Sequence, residues 1–470
     1  MARCRWLLVV SVSLASCLKK DPLYCDENTP CTDPALPFCD HDGEFAASEG
    51  IKHTCIPDPF PDGGTGNADA AAERTIVGLA TSETESCAVF NDGGLRCWGR
   101  GYIGFGYLET LGDEEFPYEA GDIPTGGPVK QVAIGHNYKC ILYQTGNVRC
   151  WGYDGDGVLG NGSPIETTGD DGVTAAMLGD IPLGARAEQI AAGSTHACAL
   201  LEGGGVRCWG ANLWGELGYG HESTIGDNET PDMSDPVNAG GIVTQIAVGG
   251  VHTCALLETK DMRCWGSAAV GVLGQGASGD IGDNESPADF DPIDVGGDVK
   301  EIAAGDTHTC ALLVGGDVRC WGNRYALGNP NIAETIGDDE VPSSVEPVPI
   351  GGTATQIIAG SQMTCALLQS GSVRCWGDTS AAEVGALGYG GEWAVGDNET
   401  PQQAGTLELG RAVEFLSAGG SHRQHTCVML VGGDVRCWGL NADGELGLGH
   451  TRDVGDDETP DSQDPVRILE

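Results

Sequence analysis

Seven times this chain writes a cysteine, nine residues, and a second cysteine followed by Trp-Gly. The pairs are Cys87 with Cys97, Cys140 with Cys150, Cys198 with Cys208, Cys254 with Cys264, Cys310 with Cys320, Cys365 with Cys375 and Cys427 with Cys437. Each second cysteine sits in Arg-Cys-Trp-Gly, and first cysteines recur every 53 to 62 residues. A period that long belongs to a propeller, a solenoid or an array of units. Units that cannot bury a core alone combine into one body, so residues 75–470 are expected to fold together.

Within a unit, residues 189–210 read as three short strands: Gln189 to Gly193, His196 to Leu201 and Gly205 to Gly210. The last two flank Glu202-Gly203-Gly204, a three-residue hairpin loop whose final position needs a left-handed backbone. Gly93, Gly146, Gly204, Gly316, Gly371 and Gly433 fill that position, whereas unit 4 has Lys260 and is expected to be distorted. The loop sets the register, placing Leu200 opposite Val206, Ala199 opposite Arg207 and Cys198 opposite Cys208. Opposed cysteines of an antiparallel pair come close enough to bond. The seven pairs are therefore expected to be disulfides, since structural zinc sites favour two to four residues between ligands. Arg207 and Trp209 share the other strand face, where cation–π stacking between units is expected.

A fourth strand is expected at Pro-Val segments such as Pro236-Val237 and Pro347-Val348. Four short strands per unit are the signature of a propeller blade. The expected fold is all-β, a seven-bladed β-propeller of four-stranded antiparallel blades. The first unit lacks a preceding Pro-Val strand and the chain ends Asp464-Pro465-Val466-Arg467-Ile468-Leu469. That final strand is expected to complete the first blade and close the ring.

The N-terminal 17 residues have Arg3 and Arg5, an apolar stretch from Trp6 to Leu14, then Leu14-Ala15-Ser16-Cys17. This is the layout of an export signal, and the apolar stretch is short for a membrane span. Leu-Ala-Ser-Cys resembles the lipobox of bacterial lipoproteins, which implies lipidation at Cys17 and, with Leu18 following, outer-membrane or cell-surface placement. Ordinary secretion with nearby cleavage is the alternative. Residues 18–57 form a small segment with Cys25, Cys31, Cys39 and Cys55, whose three possible pairings stay open. Residues 58–74 read as a flexible linker. The 20 cysteines divide into Cys4 in the signal, Cys17, these four and the seven pairs, as an oxidising compartment requires.

The net charge of −45, from 69 acidic and 24 basic residues, removes the basic patch that nucleic acid needs. His196, His252, His308 and His425 stand two residues before a first cysteine, where other units have Glu85, Tyr138 and Met363. A ring of imidazoles could hold a transition metal; a structural hydrogen bond is the plainer reading. An acidic turn recurs as Asp227 with Glu229, Asp283 with Glu285, Asp338 with Glu340, Asp397 with Glu399 and Asp456 with Glu458. The first two units have Asp113 to Glu115 and Gly169 to Gly172 there. These carboxylates are candidate calcium ligands, although one tetrapeptide cannot fill a six- to eight-oxygen shell and turn chemistry also accounts for them.

The string Ile190 to Leu201, then Val206 to Gly210, then Trp214 to Gly220 resembles regulator of chromosome condensation repeats. Its closing Gly-x-Leu-Gly-x-Gly recurs at Gly271 to Gly276, Gly385 to Gly390 and Gly444 to Gly449. The resemblance spans about 75–470 and implies a seven-bladed propeller. The paired cysteines and lipobox depart from nuclear members and resemble exported bacterial ones. No catalytic constellation stands out, so the expected role is a monomeric, non-catalytic cell-envelope module binding a protein or glycan, with the membrane met only through lipid. Variable inserts such as Glu109 to Thr125 and Trp393 are its expected binding loops. A structural surface protein without a dedicated partner and a propeller enzyme are the alternatives.

Overall fold

A computed structural model describes residues 38–40, 54–56, 73–106, 108–163, 167–168, 172–332, 334–379, 385–391, 394–418 and 425–469. The chain divides into two compact units, Met1–Glu73 and Arg74–Glu470. In the first, strands Phe38–Asp40 and Thr54–Ile56 pair antiparallel with Cys39 opposite Cys55. Cys17, Cys25 and Cys31 lie outside the described residues.

The second unit consists of seven small antiparallel sheets, formed by the repeats in chain order. In repeat 3 the strands are Ala187–Ala192, His196–Leu201 and Val206–Gly210. Cys198 faces Cys208, Ala199 faces Arg207 and Leu200 faces Val206. All seven cysteine pairs bond within their own sheet. Cys87 bonds to Cys97, Cys140 to Cys150, Cys198 to Cys208 and Cys254 to Cys264. Cys310 bonds to Cys320, Cys365 to Cys375 and Cys427 to Cys437. Their Cα atoms stand 4.0–4.1 Å apart, the close approach of directly opposed residues. The middle strand of every sheet is buried along its whole length. One face carries the staple, and the other carries a tryptophan that is fully buried in each repeat.

The expected distortion at Lys260 does not occur. Its φ is +74°, close to the +85° of Gly204. The hairpin bonds are likewise kept, with Leu257 N donating to Asp261 O at 2.8 Å and Lys260 N to Leu257 O at 2.9 Å. A left-handed side-chain-bearing residue costs about 1–2 kcal/mol. The paired strands and the staple from Cys254 to Cys264 outweigh that cost and hold the turn.

The sheet edges correct two further expectations. A fourth strand exists in three sheets, as Glu109–Leu111, Thr167–Thr168 and Ala394–Val395. In the other four it shrinks to a single bridge at the same place: Gly210↔Ile225, Gly266↔Ile281, Gly322↔Ile336 and Gly439↔Val454. The partner is thus the segment leading into the acidic turn, and the Pro-Val segments only touch the other end of the third strand. Val237 N donates to Val206 O, and Val348 N to Val318 O, both at 2.8 Å. The terminal segment behaves in the same way, Val466 N donating to Val435 O at 2.8 Å. It finishes the seventh sheet, not the first, because each such segment folds back on the strand just before it. The first sheet has its own counterpart, Ile123 N to Leu95 O.

Candidate functional site: the seams between sheets and the surface they leave

The repeated polar residues meet at the seams between successive sheets. Three histidines place Nε2 against a threonine of the following repeat: His196–Thr253 at 2.9 Å, and His252–Thr309 and His308–Thr364 at 2.8 Å. Thr253 and Thr309 in turn donate to the carbonyls of Glu216 and Val272. A hydroxyl has one proton to give, so the imidazole Nε2–H must be the donor to it. Burial pushes His196 and His308 down to about 4 and His252 and His425 to about 3, so the rings are neutral at physiological pH. With Nε2 protonated and committed, these rings do not present a convergent metal site.

Where histidine is missing, its partner changes as well. Glu85 of repeat 1 meets Lys139 of repeat 2 in a buried ion pair, and Lys139 Nζ also donates to Tyr102 O at 2.7 Å. Repeat 3 has Ala197 where other repeats have the hydroxyl, and Tyr138 donates its own hydroxyl to His196 O at 2.7 Å. Met363 takes a weak contact from Thr426 Oγ1 at 3.9 Å.

Tryptophan binds the same seams. Trp151, Trp209, Trp321 and Trp438 donate Nε1 to Tyr102, Val158, Val272 and Ala386 carbonyls of the preceding repeat, at 2.8–3.0 Å. The arginines do not stack on them as expected. Arg207, Arg263, Arg319 and Arg436 aim Nη1 at carbonyls of the short turns opening at Pro231, Pro287, Pro342 and Pro460. Carbonyl oxygens can accept more than one hydrogen bond, which gives a charged guanidinium a better site there than on a ring face. Near the inner strand ends, a Cβ on Gly193, Gly249 or Gly305 would lie 2.2–2.4 Å from a carbonyl of the next repeat. Only glycine fits there.

Inner strands are clamped by glutamine. Gln131, Gln189 and Gln245 each accept from and donate to the backbone of one residue in the next repeat, namely Ile190, Ile246 and Ile302. Gln356 does the same to Leu416. Glu301 stands in the same position but only accepts, from Ile357 N at 3.3 Å, and burial pushes it up to about 7.

The same contacts recur between repeats 7 and 1. His425 Nε2 lies 2.6 Å from Ser86 Oγ, Trp98 Nε1 donates to Glu445 O at 3.0 Å, and Gly449 N donates to Gly112 O at 3.0 Å. Arg96 reaches Ile468 O at 2.5 Å. Ser86 and His425 have the spacing of a nucleophile and base, but both are buried and Ser86 donates to Glu445 O.

The acidic turns are also seam elements. Their leading glycines accept from the preceding repeat: Gly226 from Gly162, Gly282 from Gly220, Gly337 from Gly276 and Gly455 from Gly390, at 2.9–3.1 Å. Asp227, Asp338 and Asp397 accept the N–H of the next residue. Asp283 accepts from the Asn284 side chain. Glu229, Glu285 and Glu399 complete their turns. Three carboxylates converge at Asp338–Asp339–Glu340 and Asp456–Asp457–Glu458. There burial and the neighbouring aspartates push Glu340 and Glu458 up to about 7. Each cluster draws its carboxylates from a single turn, and turn and seam bonds account for it. The second repeat's turn lies outside the described residues apart from Gly172.

The expected binding insert Glu109 to Thr125 contains the strand Glu109–Leu111 and the helical turn Pro117–Ala120. Trp393 lies outside the described residues. Sequence reading misses the hydroxyl one position after the histidine in the next repeat, a signal present at Thr253, Thr309, Thr364 and Ser86.

The Regulator of chromosome condensation (RCC1) repeat matches residues 187–213, 243–271 and 299–323. The chain is similar to the ultraviolet-B receptor UVR8 of Arabidopsis thaliana, 26% identical over 82% of this chain and 81% of that protein. Its fold matches yeast RCC1 (Prp20) in its complex with Kap60, at TM-score 0.59, 19% identity and coverage of 83% and 85%. It also matches human WBSCR16 at TM-score 0.57, 20% identity and coverage of 74% and 83%.

Proposed function

From a chain built of regulator of chromosome condensation (RCC1) repeats, we propose a closed seven-bladed propeller that works as a non-catalytic binding module at the cell envelope. The observation that carries the reading is the use of the repeated polar side chains. The histidines, tryptophans and glutamines described above are committed to neighbouring repeats, and the arginines to the turns beside them. Chemistry is thereby withdrawn from the interior, and recognition falls to the end loops. A closed ring is supported by the contacts of repeat 7 with repeat 1, which repeat those of the other seams.

Export is supported by the seven staples, from Cys87–Cys97 to Cys427–Cys437, which suit an oxidising compartment, and by the signal-like start with its lipobox at Cys17. A protein partner is favoured over a glycan because exposed Trp214 sits next to exposed Leu213 in one loop. The test is capture from envelope extracts by the full oxidised chain, repeated after reduction. A partner lost on reduction is the expected result; equal recovery from the reduced chain would sink the reading, and no partner would favour a structural surface role.

A further inference from the structure

The end of the sheets that carries the Gly-x-Leu-Gly turns also exposes a run of large apolar side chains. They are Tyr153 of repeat 2 (46% exposed), Leu213 and Trp214 of repeat 3 (68% and 48%), Val270 of repeat 4 (44%) and Tyr325 of repeat 5 (47%). Four successive repeats contribute, Tyr153 from the end of its third strand and the others from the loops that follow theirs. Trp214 is not one of the seven seam tryptophans, all of which are fully buried. Val270 adds a second observation. Its φ is +50°, a conformation strongly disfavoured for a β-branched residue, and it points an apolar side chain outward.

The opposite end also exposes apolar residues, Val77, Ile242, Val314 and Val431. These lie in repeats 1, 4, 5 and 7, carry no aromatic ring, and have no such run. Aromatic anchors carry most of the energy at protein interfaces. The cavity where six inner strands converge, lined by Ser82, Glu83, Gly135, Ser194, Gly249 and Asp306, holds about 30 Å³. Small-molecule sites are roughly tenfold larger. The central cavity is therefore not a pocket for a small ligand.

Charge selects the partner. The chain carries −45 overall, and this surface includes exposed Asp156, with Asp306 and the Glu83–His136 pair at the cavity mouth. Arg100 pairs with Asp443, and Arg324 lies over the Tyr325 ring. We propose that the loops of repeats 2 to 5 at this end dock a cationic protein segment, its aliphatic or aromatic side chains on Trp214 and Leu213 and its Lys or Arg toward the acidic surroundings. The proposal rests on the binding-module reading and names the surface and partner chemistry within it.

The test is selection of a displayed random-peptide library on the full oxidised chain, with a glycan array run in parallel. Selected peptides are predicted to combine Lys or Arg with Leu, Phe or Trp and to bind more weakly as salt rises. A synthesised winner should lose about tenfold or more in affinity on Trp214→Ala with Leu213→Ser, and keep it on Val314→Ser with Val431→Ser. All four sites are exposed, and near-ultraviolet circular dichroism checks that each variant is folded. Peptides without basic residues, or peptides lost on the variant of Val314 and Val431, would overturn this surface while leaving protein binding intact. No enriched peptide, with or without a glycan signal, would overturn the proposal and protein binding together.

Discussion

His425 and Ser86 stand 339 positions apart in the chain and 2.6 Å apart in space, across the seam between the last repeat and the first. The pair is the counterpart of His196–Thr253, His252–Thr309 and His308–Thr364. Ser86→Ala leaves the buried imidazole donor unpaired, which costs about 1–3 kcal/mol. Denaturant unfolding of the oxidised protein should show that loss, and an unchanged midpoint would separate the pair from stability.

Glu85 and Lys139 do the same work at the first seam with charge. Removing one partner strands the other, so Glu85→Gln should cost about 3–5 kcal/mol. Glu85→His combined with Lys139→Thr writes the pair of the other seams into this one. Unfolding of the double variant should recover most of the loss; a double variant as weak as the single would show that the seams are not interchangeable.

Glu301 makes one seam sensitive to pH. Its folded pKa is raised to about 7 from an ordinary value near 4.5, chiefly by burial and against the pull of Lys300. The sign follows from the protonated form being favoured in the fold. Stability is full below pH 4.5 and falls as pH rises through 7. Glu301→Gln restores the two-way clamp of Gln245 and should gain about 1–3 kcal/mol at about pH 8 and little at about pH 4. A gain equal at both pH values would contradict the titration.

Lys260 carries a local conformational cost that glycine would not. Lys260→Gly should raise stability by about 1 kcal/mol, less the added freedom of the unfolded chain. A melting-temperature drop would show that the Lys260 side chain contributes more than its backbone costs.

The sheets are legible in the sequence because their signals are local. A three-residue loop fixes which residues of a hairpin oppose, so Cys198 opposite Cys208 follows from counting, and so do Cys97, Cys150, Cys320, Cys375 and Cys437 opposite their own partners. The edge segments are not legible in the same way. Val466 can be read equally as a partner of the first sheet or the seventh, and only the fold-back of the connection decides. The seam pairs need knowledge of which repeat faces which, since His196 and Thr253 carry no local sign of each other. Strand alternation alone puts Arg207 beside Trp209 but says nothing of the turn carbonyl of Pro231 that Arg207 reaches. The exposed run from Tyr153 to Tyr325 interrupts the repeat, where a pattern built on the repeat is blind.

Thr81 and Ser417 place their hydroxyl oxygens 3.4 Å apart between the first and seventh sheets. Replacing both by cysteine is the direct measurement of a closed ring, read by peptide mapping without reduction. A closed ring predicts an additional bridge joining the peptides of residues 81 and 417, with the seven repeat bridges unchanged. Two free thiols at those positions in a protein with all seven repeat bridges formed would contradict it.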